Sequence, residues 1–233
     1  MRAKKILVKK YMVPGTTNMI ISVTYDCERQ QGRSFLRFME YYESPEFKGK
    51  IFTFEDYKHY YRIKHGEFSY YEDWSGFNLK NEVIEPFQAG LFDPLSKEEK
   101  FILSVAPDSP KFTIIGVSQE FKSDETHELA HSLYYLYPEY RAEITKLITQ
   151  EMIDELNPVI LDGEYVEDNL LDEIQAYMVD SVEDLFEDTE YEYLIEKYKP
   201  IAEPFKDVFN RYYFKLPDFS LNFIHYTLTR AEG

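Results

Sequence analysis

Cysteine is almost absent: Cys27 is the only one in 233 residues. An intrachain disulfide is therefore excluded, and so is a metal site built on a cysteine cluster. A lone thiol fits a reducing compartment. Positive charge is also short, with 26 Lys and Arg against 43 Asp and Glu and a net charge of −17. Nucleic acid and anionic membrane surfaces both select basic patches, so this balance argues against each as a partner. The excess of acid serves solubility first and cationic peptides second. No apolar run is long enough to span a bilayer. The segment Met1 to Pro14 is basic but has no uninterrupted apolar core, which makes it a poor signal peptide. The expected location is the cytoplasm, with secretion after removal of a signal as the alternative. Internal repeats, low-complexity tracts and Pro/Gly/Ser linkers are missing too, so nothing marks a domain boundary.

What is present is apolar and aromatic. Hydrophobic residues make up 44% and aromatics 17%, a globular rather than a disordered composition. A chain of this length can bury a real core as one domain. The expectation is a single α+β domain over 1–233. A small β-containing mixed part (1–118) would precede a mostly helical part (119–233) that carries the chemistry.

Residues 127 to 131 read His-Glu-Leu-Ala-His. Two histidines four apart on a helix project from one face, a spacing at which both imidazoles reach one tetrahedral Zn²⁺. The glutamate after the first can act as general base on a water activated by the metal. His127 and His131 are the candidate ligands and Glu128 the candidate base. The flanks suit a helix: Ser123, Asp124 and Thr126 are possible N-caps, Leu129, Ala130, Leu133 and Leu136 form an apolar set, and Pro138 marks the stop.

A catalytic zinc usually takes a third protein ligand. A helix expected from about Glu164 to Phe186 carries an apolar stripe of Leu170, Ile174, Met178 and Leu185, with Glu173 and Tyr177 beside it. An acid bordering such a stripe is costly without a partner, and a metal is one. Glu173 leads on that ground; Asp172, His225, Asp180 and Glu167 are the alternatives. Asp172, on the polar side with Gln175 and Glu183, can instead orient a histidine. Tyr177, Tyr165 and His225 are candidates for stabilising an oxyanion.

The pair His127-Glu128-Leu-Ala-His131 and Asp172-Glu173-Ile-Gln-Ala176-Tyr177 resembles the zincin metallopeptidases, in their gluzincin branch. There a glutamate on a later helix completes the metal site, often in a Glu-x-x-Ala setting. The separation of 42 positions between His131 and Glu173 falls within the range those enzymes use. The resemblance covers about residues 112 to 180. It implies His127, His131 and Glu173 as ligands of one Zn²⁺, Glu128 as base and a peptide or protein as substrate. Two features depart from the pattern. Tyr177 stands where an Asp four positions after Glu173 would orient a histidine, and 132–163 holds no third histidine of the metzincin kind. The same residues would also serve a zinc amidohydrolase of small molecules, or an inactive zincin-like domain that binds peptide or protein.

Elsewhere the sequence predicts β-runs at Ile6 to Val8, Met19 to Tyr25 and Lys111 to Val117; an open edge at 112–117 would favour an extended peptide substrate, and a closed pocket a small molecule. Capping boxes at Thr53/Asp56 and Ser96/Glu99 open helices ending at His65 and near Val105. His65 suits a helix C-terminus and His59 the same helix surface. The aromatic, turn-rich stretch from Phe68 to Leu79, with Trp74-Ser-Gly-Phe77, fits either core or a substrate-facing wall. The helices expected beyond are 123–137, 139–156, 164–186, 190–198 and 203–213.

Overall fold

The computed structural model describes residues 4–119, 124–162, 169–187, 189–217 and 222–226; for 4, 5, 124, 161, 162 and 222–226 it gives the backbone alone. The protein is a mixed α and β structure. Its backbone divides into two compact units, one of Met1–Met12, Thr17–Lys122 and Asp218–Gly233, the other of Val13–Thr16 and Ser123–Pro217.

The first unit is built on a five-stranded sheet, with strands β1 (Lys4–Met12), β2 (Met19–Tyr25), β3 (Gly76–Lys80), β4 (Phe112–Ser118) and β5 (Asn222–Tyr226) in the order β3-β4-β2-β1-β5. β2 and β4 run parallel, Ile21 opposite Ile114, and the other pairs are antiparallel. All seven residues of β4 are buried. Such a strand is covered on both faces and so reads as a continuous β-branched run rather than an alternating one. β4 is also hydrogen-bonded along both sides, to β2 and to β3. The 112–117 strand is thus not an open edge: the Gly76–Lys80 strand, unread in the sequence, pairs along one side of it.

Five helices accompany these strands: α1 (Glu28–Glu43), α2 (Phe54–His65), α3 (Tyr70–Asp73), α4 (Glu85–Gln88) and α5 (Lys97–Val105). Both capping boxes form, each hydroxyl accepting from the N3 amide while the N3 acid accepts from the cap. Gly66 ends α2 with φ 89, a left-handed position that costs glycine little. α1 lacks a side-chain N-cap bond and carries Gly32, so its stability rests on packing. Phe35, Leu36, Phe38 and Met39 are buried, and Phe35 stacks on Phe77 at 5.3 Å. Gly116 on β4 makes room for that ring: a Cβ there would lie 2.3 Å from Phe35. Phe77 is therefore core, while Trp74 stays 41% exposed. Arg37 forms a buried fork on Glu99, with Nε and Nη2 each donating at 2.6 Å, and joins α1 to α5.

The second unit is helical: α6 (Asp124–Leu136), α7 (Pro138–Ile144), α8 (Gln150–Asp162), α9 (Leu170–Val179), α10 (Val182–Phe186) and α11 (Ile195–Tyr213). α9 lies at its centre, packed on α6, α8 and α11. Three expected boundaries differ. The 139–156 helix divides at Ile148, where the chain turns extended and Thr149 accepts from the Met152 amide. The 164–186 helix divides at Asp180, after which Ser181 caps α10 by accepting from the Asp184 amide. In contrast, 195–213 is one helix in spite of Pro200 and Pro204. Both prolines lie on the exposed side of the helix. The opposite face buries Tyr198, Ala202, Phe205, Val208 and Phe209. Nor is the C-terminal half helical throughout, since Asn222–Tyr226 pairs with β1 as β5.

Candidate metal centre

The His-Glu-Leu-Ala-His segment occupies the middle of α6. Leu129, Ala130, Leu133 and Leu136 are all buried, and they fix which way the helix faces. With that face sealed, His127 and His131 stand one turn apart at its border, their rings 4.7 Å between centroids and nearly perpendicular. Of the possible N-caps, Ser123 lies outside the described residues. α9, whose Ile174 and Ala176 are both fully buried, packs on α6 and brings two acids to the histidines.

Glu173 Oε2 stands 3.9 Å from His127 Nε2 and 3.6 Å from His131 Nε2, and the two Nε2 atoms are 3.1 Å apart. The point equidistant from these three atoms lies about 2.1 Å from each, against bonds of about 2.0–2.2 Å for zinc to nitrogen and carboxylate oxygen. Two imidazoles and a carboxylate are also a ligand set zinc accepts, so the residues fit the ion. Among the described residues this is the one group of three or more His, Cys, Asp or Glu side chains arranged to hold a metal.

Asp172 does something else. Its Oδ1 lies 2.8 Å from His131 Nδ1, on the side of the ring away from Nε2. Asp172 and Glu173 sit about 100° apart around α9 and therefore reach His131 from different directions. Asp172 takes on His131 the orienting place that Tyr177 vacates in sequence. Tyr177 instead lays its ring edge-on to His127, 4.8 Å between centroids.

The two imidazoles are driven apart in charge. Burial, with help from the neighbouring His131, pushes His127 well below the ordinary histidine range. Burial also disfavours charge on His131, but the carboxylates of Asp172, Glu173 and Glu128 outweigh it and raise that ring to about 10. His131 Nδ1 donates to the Asp172 carboxylate, and the two Nε2 atoms lie 3.1 Å apart. A cation held by both rings would need each Nε2 free of a proton. Glu128 is 7% exposed and close enough to act on His131.

The remaining candidates fall elsewhere. Asp180 forms the C-cap of α9 and is no part of the three-residue group. Tyr165 and Glu167 lie outside the described residues. His225 is on β5 opposite Lys5, in the sheet unit, and its side chain lies outside what is described. His59 is exposed on α2, and His65 stacks on Tyr61 at the end of that helix. Two residues at the site went unread in the sequence. Gln175, expected on the polar side of α9, is fully buried and donates to Asp172 Oδ1 at 3.0 Å. Tyr140, also fully buried, donates to Gln175 Oε1 at 2.7 Å. The three-residue spacing from Asp172 to Gln175 was a usable signal; for Tyr140, on another helix, there was none.

Comparison with known protein families, curated proteins and solved structures finds no match.

Proposed function

We propose that this protein is a zinc-dependent hydrolase of amide bonds, with peptides as its substrate class and a zincin-like, gluzincin-type centre. The observation that carries the reading is the triangle of donor atoms from His127, His131 and Glu173, whose size suits one zinc ion. Zinc, when bound, supplies Lewis acidity, which lowers the pKa of a water and polarises a carbonyl. The chain's own groups do the rest. His131 is held by Asp172 at Nδ1, so Nε2 is the atom left to coordinate. Glu128 follows His127 directly and is shielded from bulk water. It takes the proton of the attacking water and delivers it to the leaving amine. Tyr177, against the His127 ring, is the candidate for a hydrogen bond to the developing oxyanion.

One observation favours a second reading, a zinc amidohydrolase of small molecules. β4 is paired on both sides, so the open edge that would have favoured an extended peptide is not available there. A single set of measurements separates the possibilities. Purified protein should hold one zinc per chain, and His127→Ala with His131→Ala should empty the site; full zinc content in the double variant sinks the assignment. Glu128→Gln should keep zinc yet lose about 10²–10⁴-fold in hydrolysis of a peptide library, since an amide cannot accept the proton. Undiminished turnover by Glu128→Gln removes Glu128 as base. Zinc binding with cleavage of small amides alone establishes the second reading.

A further inference from the structure

Behind the metal-facing side of His131 runs a chain of buried hydrogen bonds whose every donor and acceptor is determined. Gln175 Nε2 contacts the backbone carbonyl of Asp172 and its Oδ1, each at 3.0 Å. Both are acceptors, so the amide must present its nitrogen there and its oxygen on the other side. That oxygen then accepts from Tyr140, 2.7 Å away. Asp172 Oδ1 accepts a second time, from His131 Nδ1 at 2.8 Å. His131 Nδ1 thereby carries a proton, and Nε2 is the ring atom turned toward His127 and Glu173. Tyr140 and Gln175 are both fully buried in a helical core that apolar side chains could fill. Polar groups in such a place cost free energy unless each is satisfied, and these two satisfy each other and Asp172.

We propose that Tyr140 and Gln175 are positioning residues of the metal centre: together they hold Asp172 on His131, and through it fix the ring that presents Nε2. Tyr140 comes from α7, so the chain ties a third helix to a site whose ligands all come from α6 and α9. Neither residue touches a reacting atom. Their effect is on how well the site is formed before a metal arrives. Without the Tyr140 hydroxyl, Gln175 loses the group that fixes its amide orientation. Without Gln175, Asp172 keeps one side-chain hydrogen bond fewer to hold its rotamer.

The inference rests on the zinc-hydrolase reading only in taking zinc as the ion, and its test reads affinity rather than turnover. The zinc dissociation constant is measured by competition with a chromophoric chelator, starting from apoprotein. Tyr140→Phe should weaken binding about tenfold, the lower end of the range for groups that support a metal-ligating histidine. Gln175→Met, which keeps the volume but removes the amide, should weaken it at least as much. Both losses should shrink below twofold when Asp172→Ala is already present, because the residues act through that carboxylate. A role in packing alone gives the same loss with or without Asp172. Affinities within twofold of wild type for both variants, or losses unchanged in the Asp172→Ala background, overturn the proposal. Should Tyr140→Phe fail to fold, Gln175→Met carries the same comparison. Zinc uptake without hydrolysis sinks the peptidase reading and leaves this one standing; no zinc uptake by the wild type sinks both.

Discussion

Asp172 and Glu173 are adjacent in the chain and carry the same charge, yet they meet opposite sides of one imidazole. The helix rotation between them puts Glu173 at Nε2 and Asp172 at Nδ1. Periodicity alone favoured Glu173 for the metal side, because that argument needs only one helix. It left Gln175 on the wrong face, since that side chain pairs with Tyr140 of α7, which the local sequence of α9 does not describe. A different buried acid gives a residue-scale prediction. Glu40 on α1 is half-buried; burial raises its carboxyl above the ordinary range, against the lowering pull of hydrogen bonds from Tyr57, Ser44 and Tyr70. The folded state therefore binds this proton more tightly than the unfolded chain does, and stability drains away as pH rises from the unfolded pKa through the folded one. Glu40→Gln removes that loss. In urea titrations the variant should gain on the wild type as pH climbs through the carboxylate range, and the gap should level off above it. A gap that narrows as pH rises shows the opposite sign and refutes the assignment.

At the scale of elements, legibility followed the place where the stabilising interaction lies. Helices α2 and α5 open on capping boxes contained within four residues, and both starts were readable to the residue. The strands β2 and β4 announced themselves as β-branched runs. Helix α1 gave no such sign. It has no side-chain cap bond and a glycine inside, and it buries Gln31, Ser34 and Arg37, which read as surface residues until their partners are known. Gln31, for example, donates to the carbonyls of Ser75 and Gly116, 44 and 85 positions away. α11 erred in the other direction, its two prolines signalling a break that a long buried face overrides. The Arg37–Glu99 fork shows how much rides on one distant pair. Glu99 also accepts from the Ser96 amide at 2.7 Å, and Arg37 donates to the Phe92 carbonyl at 3.1 Å. Arg37→Met leaves a buried carboxylate without its countercharge and should cost about 3–5 kcal/mol in chemical denaturation. Adding Glu99→Gln should return part of that loss, because the amide still accepts from Ser96 without a charge to compensate. A double variant no more stable than Arg37→Met would mean the cost lies in lost packing rather than in the stranded charge.

For the whole molecule, two compact units imply two questions of stability rather than one. All three proposed zinc ligands belong to the Ser123–Pro217 unit, on α6 and α9. Among the described residues no helix is long and apolar enough to cross a membrane. A ligand that binds only the folded form stabilises it by an amount set by its concentration relative to Kd, about 2.7 kcal/mol at a hundredfold excess over Kd. That stabilisation should register where the site is built. Hydrogen exchange of apoprotein and zinc-loaded protein is the suitable measurement, because it resolves opening of separate parts of a chain. Amides of α6 and α9 that exchange through opening of their unit should slow by up to about a hundredfold at that zinc excess. Those of α1, in the sheet unit, should change little. In the His127→Ala, His131→Ala variant zinc should protect neither. Unchanged exchange in α6 and α9 would mean that zinc does not bind where the donor atoms converge. Equal slowing in α1 would mean instead that the two units open together, and the division of stability would be refuted while the metal site stood.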